Sequence, residues 1–444
     1  MIYNLEMNYL YDKNIIEGLV IDNRGRVSAI SIYSGVVMIQ NCNITMGYLN
    51  SLNKLVVYGI YCDNSIVFLN SVIIKGNYEL MTVGCLAYQA NIKIINSKFY
   101  QCKFAGFLSY TQSNNFVNLN KNIFNENYGC GVFLCGDGEI IIEENLIEKN
   151  QGVGIKLIDC NRISLVNNII VENFLNGGEL INCDGLIMLN SFYNNKGCGC
   201  LLESCAGGVF KAKIYKNSII ENAKAGLVIK GEKNFAVVEL NQQIGFNNFS
   251  GIHISDAASP TILNNIIFEN MHQGILLVSG SSAYIKGNEI RENIRANIAF
   301  GGVSSENTKI IENKIIGSRN EGIFVIEGNG GVIEKNDIIE NNDGIILMNS
   351  ENTFISENMI EGNIRCGILL VGSCPEVVNN QIFENQFIGV LFKKNSAGKF
   401  IDNHIKSSTC SVYFYRGSES KKDEIEKKNS IDGRVDVQSI CTIF

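Results

Sequence analysis

One phrase recurs along this chain and constrains its fold more than any other feature. It reads Asn-x-apolar-x-x-Asn-x-x-x-Gly-apolar, as in NLIEKNQGVGI (Asn145 to Ile155), NSIIENAKAGL (Asn217 to Leu227), NIIFENMHQGI (Asn265 to Ile275) and NQIFENQFIGV (Asn380 to Val390). Aligned on its first position, it starts at Cys42, Ser71, Ser97, Asn122, Asn145, Asn168, Asn190, Asn217, Gln242, Asn265, Asn288, Asn313, Asn336, Asn358, Asn380 and Asn403. These sixteen copies are spaced 22 or 23 residues apart through most of the array and 25 to 29 at its N-terminal end and around Asn217, Gln242 and Asn313, the mark of a solenoid in which each repeat buries its apolar face against its neighbours.

Two solenoids compete at this period, the leucine-rich repeat and the parallel β-helix. The apolar slots decide between them: they hold mostly Ile and Val, whose branched side chains suit a pleated surface. No window keeps a 3.6-residue period, and the chain alternates over four to six residues, turns at Asn or Gly, and alternates again. Each copy is expected to be one coil of short strands, giving an all-β, single-stranded parallel β-helix of about 16 coils.

The conserved letters of the phrase have physical reasons. Asn is expected at the sharp bends, where its amide bonds backbone and stacks up and down the column. A second Asn column follows five residues later, through Asn127, Asn150, Asn173, Asn195, Asn222, Asn247, Asn270, Asn293, Asn341, Asn363 and Asn385. The Gly four residues beyond (Gly131, Gly154, Gly226, Gly251, Gly274, Gly322, Gly367, Gly389) is expected to supply φ > 0 before the next strand. Both Asn columns therefore read as structure and carry no ligand role.

Residues 1–35 precede the array and are expected to cap it, residues 36–415 to form the β-helix, and residues 416–444 to be a charged linker and tail. No basic segment followed by an apolar run opens the chain, and no apolar run is long enough to span a bilayer, so a cytoplasmic location is expected. In that setting the 15 cysteines read as reduced, small hydrophobic groups. Cys183, Cys198, Cys200 and Cys205 lack the paired spacing of a zinc site, so neither metal nor cofactor is expected. Net charge is −7 and no basic stripe repeats from coil to coil, which excludes nucleic acid as the expected partner. His253, His272 and His404 occupy different slots and are expected to form no common constellation.

The repeated phrase, including NDIIENNDGI from Asn336 to Ile345, resembles the right-handed parallel β-helix repeats of the pectin-lyase-like superfamily over about residues 36 to 415. That resemblance implies the right-handed coil. It leaves function open, because the superfamily includes polysaccharide lyases and hydrolases as well as intracellular proteins that bind other proteins. The short, regular coils look most like the latter, such as F-box ubiquitin-ligase adaptors and SHC-binding spindle proteins. By resemblance this implies a substrate-recognition role in ubiquitin ligation, although residues 1–35 are too short for an F-box.

Three sets of residues are candidates for function. Asp137, Glu139, Asp159, Asp184 and Glu203 fall in the turn after the Gly-apolar strand, where family enzymes gather carboxylates, but none lies in an enzyme motif. By the period-two rule the residue after each Gly-apolar pair points outward, and that column is mostly apolar: Leu108, Phe133, Lys156, Leu201, Val228, His253, Leu276, Ala299, Phe324, Ile346, Leu369, Leu391. An exposed stripe through Leu276, Phe324, Ile346, Leu369 and Leu391 would need a cover, either the chain's own tail, a protein partner or self-association. Finally, Cys441-Thr442-Ile443-Phe444 matches a prenylation pattern, which would make Cys441 a lipidation site giving peripheral membrane contact. The leading expectation is a non-enzymatic intracellular scaffold binding protein through the stripe. The alternative is a polysaccharide-active enzyme or glycan-binding protein using acidic turn residues. A third column, Glu126, Glu172, Glu221, Glu269, Glu292, Glu340 and Glu384, interrupted by Lys149 and Asn194, reads as a wet face.

Overall fold

The structure is a computed structural model that describes residues 5–7, 14–23, 27–47, 56–205, 207–302, 305–328, 330–415 and 417–438. Its strands form the expected all-β right-handed parallel β-solenoid, with about 18 turns where about 16 were expected. The chain divides into two units, Met1–Lys224 and Ala225–Phe444.

In the N-terminal unit each coil contributes one strand to each of three parallel sheets. In one coil these are Cys130–Gly136, Glu139–Glu143 and Leu146–Glu148. The next coil stacks in register, with Val132 opposite Ile155, Ile140 opposite Ile163 and Ile147 opposite Ile170. All but one of these six inward residues are wholly buried, and Ile163 nearly so. Register is held because a slip by one residue would turn every Ile or Val toward water. Aromatic rings stack in the same way, Phe99 on Phe124 with centroids 5.1 Å apart and planes 14° from parallel.

The segment expected to cap the array is itself coiled. Asn14–Glu17 pairs with Val36–Gln40, Val20–Asn23 with Asn43–Met46, and Ser28–Ile32 with Val57–Asp63. Ile16, Ile21, Ile30 and Ile32 fill the inward slots there. Apolar alternation thus persists where the Asn and Gly letters do not.

The Asn columns are buried ladders at two corners of the coil. In this unit Asn145 sends both its backbone N–H and its Nδ2 to Asn168 Oδ1, each at 2.9 Å, and its Nδ2 also reaches Leu119 O at 2.9 Å. At the second corner Asn150 Nδ2 donates to Asn173 Oδ1 at 2.9 Å and Asn173 Nδ2 to Asn195 Oδ1 at 3.0 Å. The sharp backbone angle falls one residue earlier than expected. Glu144, Asn167 and Leu189 before the first ladder, and Glu126, Lys149, Glu172 and Asn194 before the second, all have φ between 52° and 56°. The left-handed position is therefore a surface residue of any type, and Asn is chosen for its two-way amide.

Glycine also has a different role from the one expected. Gly131 and Gly154 are absent from the positive-φ positions. A Cβ on Gly154 would lie 2.6 Å from Gly177 O and 2.9 Å from Asn173 Nδ2, and one on Gly131 would lie 2.8 Å from Gly154 O. Close approach of stacked backbones, rather than backbone angle, excludes a side chain there. Two copies also shift by one residue: Ile74 pairs with Phe99, which starts that copy at Val72 instead of Ser71, and the ladder rung placed at Gln242 is taken by Asn241.

In the C-terminal unit one parallel sheet runs through strands such as Asp343–Met348, Cys366–Val371 and Ile388–Lys393. Its first ladder runs from Asn241 through Asn265, Asn288, Asn313, Asn336, Asn358, Asn380 and Asn403 to Asn429, which accepts Asn403 Nδ2 at 2.8 Å. The segment expected to be a linker therefore carries part of a further coil. Ser430–Asp432 pairs with His404–Ser407 and Val435–Val437 with Cys410–Phe414. A short helix, Lys422–Lys428, is inserted before Asn429 and buries Ile425. That insertion hides the period from a sequence reading. Cys441 lies outside the described residues.

Candidate functional site

The N-terminal unit carries a groove along its second ladder. The residues on either side of each buried Asn rung form its walls. Over four coils the lining reads Glu126 and Tyr128, Lys149 and Gln151, Glu172 and Phe174, and Asn194 and Lys196, with Gln101 from the coil before. The cavity is ≈ 580 Å³. A second cavity of ≈ 660 Å³, lined by Asp22, Thr45, Lys75, Asn77, Tyr78 and Glu79 among others, shares Gln101 with it.

The left-handed backbone of Glu126, Lys149 and Glu172 tips their side chains out of the coil, while the ladder amide beneath each rung holds the turn rigid. Tyr128 and Phe174 present 41 % and 57 % of their surfaces. Tyr78 leans toward Tyr128 with ring centroids 6.1 Å apart. Lys149 Nζ sits 3.7 Å from Glu172 Oε2, both side chains being about half exposed, so this pair contributes little to stability. Chemically, the groove offers carboxylates and amides that bond hydroxyls, together with flat apolar faces.

The acidic turn residues lie at another corner, between the first and second sheets. Asp159 Oδ1 accepts from Asn182 Nδ2 at 2.9 Å, and Arg162 donates to the Asp137 carbonyl at 3.1 Å. Asp184 and Glu203 enter through backbone bonds, Asp184 N to Cys160 O at 2.9 Å and Asn182 N to Glu203 O at 2.8 Å. Asp137 and Glu139 are exposed in this turn, and none of these acids lines the groove. The alternation of acid with base that suggested only a wet face at Glu126, Lys149 and Glu172 was the visible signal of the groove. A second signal stands two residues further on, where Tyr128, Gln151 and Phe174 alternate ring with amide.

The outward column is less open than the alternation implied. Leu276 and Phe324 are half-buried, but Ile346, Leu369 and Leu391 keep only 7 %, 6 % and 4 % of their surfaces. Phe324 and Tyr413, the neighbours of Ile346 and Leu391 in the same column, pack against them together with Met348, Ile388 and Tyr415. In the N-terminal unit Leu108 is likewise buried beside Leu86 and Phe133. That unit also fills a missing member of the column. Glu179 lies between Lys156 and Leu201 and pairs with Lys156 at 2.9 Å, its Oε1 accepting from Asn176 at 2.9 Å.

The C-terminal unit holds a second group of titratable residues at the edge of the stripe. Glu321 and Asp343 stand opposite each other on adjacent strands. Asp343 accepts from the Cys366 backbone N–H at 3.2 Å and faces Arg365 at 3.4 Å. Burial pushes the Asp343 carboxyl above its ordinary range against the pull of Arg365, and burial together with Asp343 does the same to Glu321. Burial also pushes the Cys366 thiol up to about 12. Two histidines expected in unrelated slots share one neighbour: the Phe249 ring lies 4.3 Å from His272 and 5.9 Å from His253. His253 Nδ1 is buried without a hydrogen-bond partner, and burial lowers that imidazole below its ordinary value.

The model of the right-handed β-helix region matches residues 84–242, 211–290 and 283–429. Solved structures with a similar fold include the A-module of an Azotobacter vinelandii mannuronan C-5 epimerase, at 9 % identity over 96 % of this chain and 91 % of that one, with a TM-score of 0.32. A periplasmic alginate epimerase is similar at 12 % identity, over 96 % and 76 % of the two chains, with a TM-score of 0.25. The tailspike of E. coli bacteriophage HK620 is similar at 12 % identity, over 95 % and 71 %, with a TM-score of 0.30. No curated protein matches the chain. With parallel three-sheet coils, two buried Asn ladders and a family match spanning most of its length, this chain belongs to the right-handed β-helix family of the pectin-lyase-like superfamily.

Proposed function

We propose that this protein binds an extended carbohydrate polymer along the groove of its N-terminal unit. One observation carries the reading: the exposed rings of Tyr128 and Phe174 each share a turn with a carboxylate, Glu126 and Glu172, across a buried Asn rung. Sugars offer an apolar ring face and a rim of hydroxyls, and a platform beside a carboxylate answers both at once. The walls are set on stacked strands about 4.8 Å apart, so the contacts are held in place before any ligand arrives. The groove is long, open at its sides and lined across successive coils, which suits a linear polymer better than a compact metabolite.

The test is retention of the full chain on a panel of immobilised polysaccharides, compared with a Tyr128→Ala/Phe174→Ala variant. Both sites are exposed, so the variant is expected to melt within about 0.5 kcal/mol of the parent. Loss of retention with unchanged melting supports the reading. Equal retention of parent and variant would sink it.

A further inference from the structure

The groove repeats every second coil. One wall carries Tyr78, Lys103, Tyr128, Gln151, Phe174 and Lys196 at equivalent positions in six successive coils, so an aromatic ring alternates with a polar side chain throughout. The opposite wall of the main cavity alternates in step, with Glu126 and Glu172 beside the rings and Lys149 between them. Rings two coils apart stand on backbones separated by roughly 10 Å. A ligand seated on both must offer the same face at that interval. An extended β-linked chain does so, because successive sugars are turned over and the disaccharide is its repeat.

Charge narrows the class further. The main cavity holds Glu126 and Glu172 against Lys149 and Lys196, that is 2 acidic and 2 basic groups and a formal sum of zero. The adjoining cavity holds Asp22 and Glu79 against Lys75, a formal sum of −1. A polyanion would meet no net attraction along this path, and its carboxylates would face those of the wall.

We infer that the polymer is a neutral, extended, β-linked glycan bound with a two-sugar period, its alternate rings resting on Tyr128 and Phe174. This rests on the carbohydrate reading of the same groove and specifies it.

Calorimetric titration of the full chain with β-1,4-linked gluco- and N-acetylglucosamine oligosaccharides of two to six units tests it, alongside polygalacturonate and linear α-1,4-glucan fragments. Adding the third sugar should improve affinity about tenfold as the second ring is reached, and adding the fourth should change it little. Phe174→Ala should abolish that step. Raising salt from 50 to 500 mM should leave Kd nearly unchanged. A smooth gain with length, a preference for the α-linked fragments, or tighter binding of polygalacturonate that weakens in salt would overturn the neutral two-sugar inference while leaving glycan binding intact. Binding of none of the polymers would remove both.

Discussion

Asn297 Nδ2 donates to Asn341 Oδ1 across 3.1 Å, while Asn297 Oδ1 accepts from Asn293 Nδ2 at 2.8 Å. Asn297 occupies the slot that holds glycine in most coils, and Ser318 stands where the next ladder Asn would be. The small serine leaves a gap in the column, and the amide from the neighbouring slot fills it, so the second ladder of the C-terminal unit stays connected. These two departures from the repeat form one compensated pair.

A double-mutant cycle should show this. Asn297→Gly alone leaves buried amide groups unpaired and is expected to cost about 2 kcal/mol or more. Ser318→Asn alone crowds Asn297 and should destabilise as well. The double variant restores the ordinary repeat and should recover most of both losses, giving a coupling of at least about 1 kcal/mol in chemical denaturation. Additive losses would mean the two positions are independent.

An interrupted ladder has no such rescue. Asn168→Ala removes the oxygen that takes both the N–H and an Nδ2–H of Asn145; the Nδ2 keeps the Leu119 and Glu143 carbonyls, but the buried N–H is left unmet and the rung's own amide is lost. The expected destabilisation is about 2–4 kcal/mol. Asn167→Ala, at the exposed position just before it, should cost less than about 1 kcal/mol although it too changes an Asn. Comparable losses at the two sites would show that the bend, and not the amide column, needs asparagine.

Gly154→Ala isolates the close approach of stacked coils. Its φ is ordinary, so the penalty arises only from the Cβ that would meet Gly177 O at 2.6 Å, and about 1–3 kcal/mol is expected. A variant as stable as the parent would mean that neighbouring coils separate freely.

The carboxyl pair of the C-terminal unit predicts a pH dependence of defined sign. Asp343 and Glu321 are both raised above their ordinary values of 3.8 and 4.5. Between those values and the raised ones, the folded chain holds protons that the unfolded chain has released. Their contribution to stability is therefore fullest at acid pH and is lost as pH rises through that window. Compared with Asp343→Asn/Glu321→Gln, the parent should lose ground steadily as pH rises from about 4 toward neutrality. Parallel melting-temperature curves for the two proteins would contradict this.

Thiol reactivity should follow burial. Cys205 and Cys374 are exposed, whereas Cys102 and Cys366 are buried with thiols pushed far from ionisation, Cys366 to about 12. Brief alkylation of the folded protein at neutral pH should modify Cys205 and Cys374 and spare Cys102 and Cys366, as read by peptide mass spectrometry. Modification of Cys102 at the same rate as Cys205 would show that the coils open locally.

The sequence by itself determined the coil. Its Ile and Val alternation sets which side chains point inward, and its Asn columns set the two corners, because both are local rules repeated at a fixed period. Even the true boundaries follow from alternation once Ile16, Ile21 and Ile431 are counted as inward residues. Three things required neighbouring coils. The reason for glycine lies in the carbonyl of the next strand, as at Gly154 and Gly177. The burial of Ile346, Leu369 and Leu391 depends on Met348, Tyr413 and Tyr415 packing against them from other coils and positions. The groove exists only because Glu126, Tyr128, Glu172 and Phe174, apart in the chain, stack on one wet face. Period fixes where a residue sits in its own coil, and only stacking decides what stands beside it.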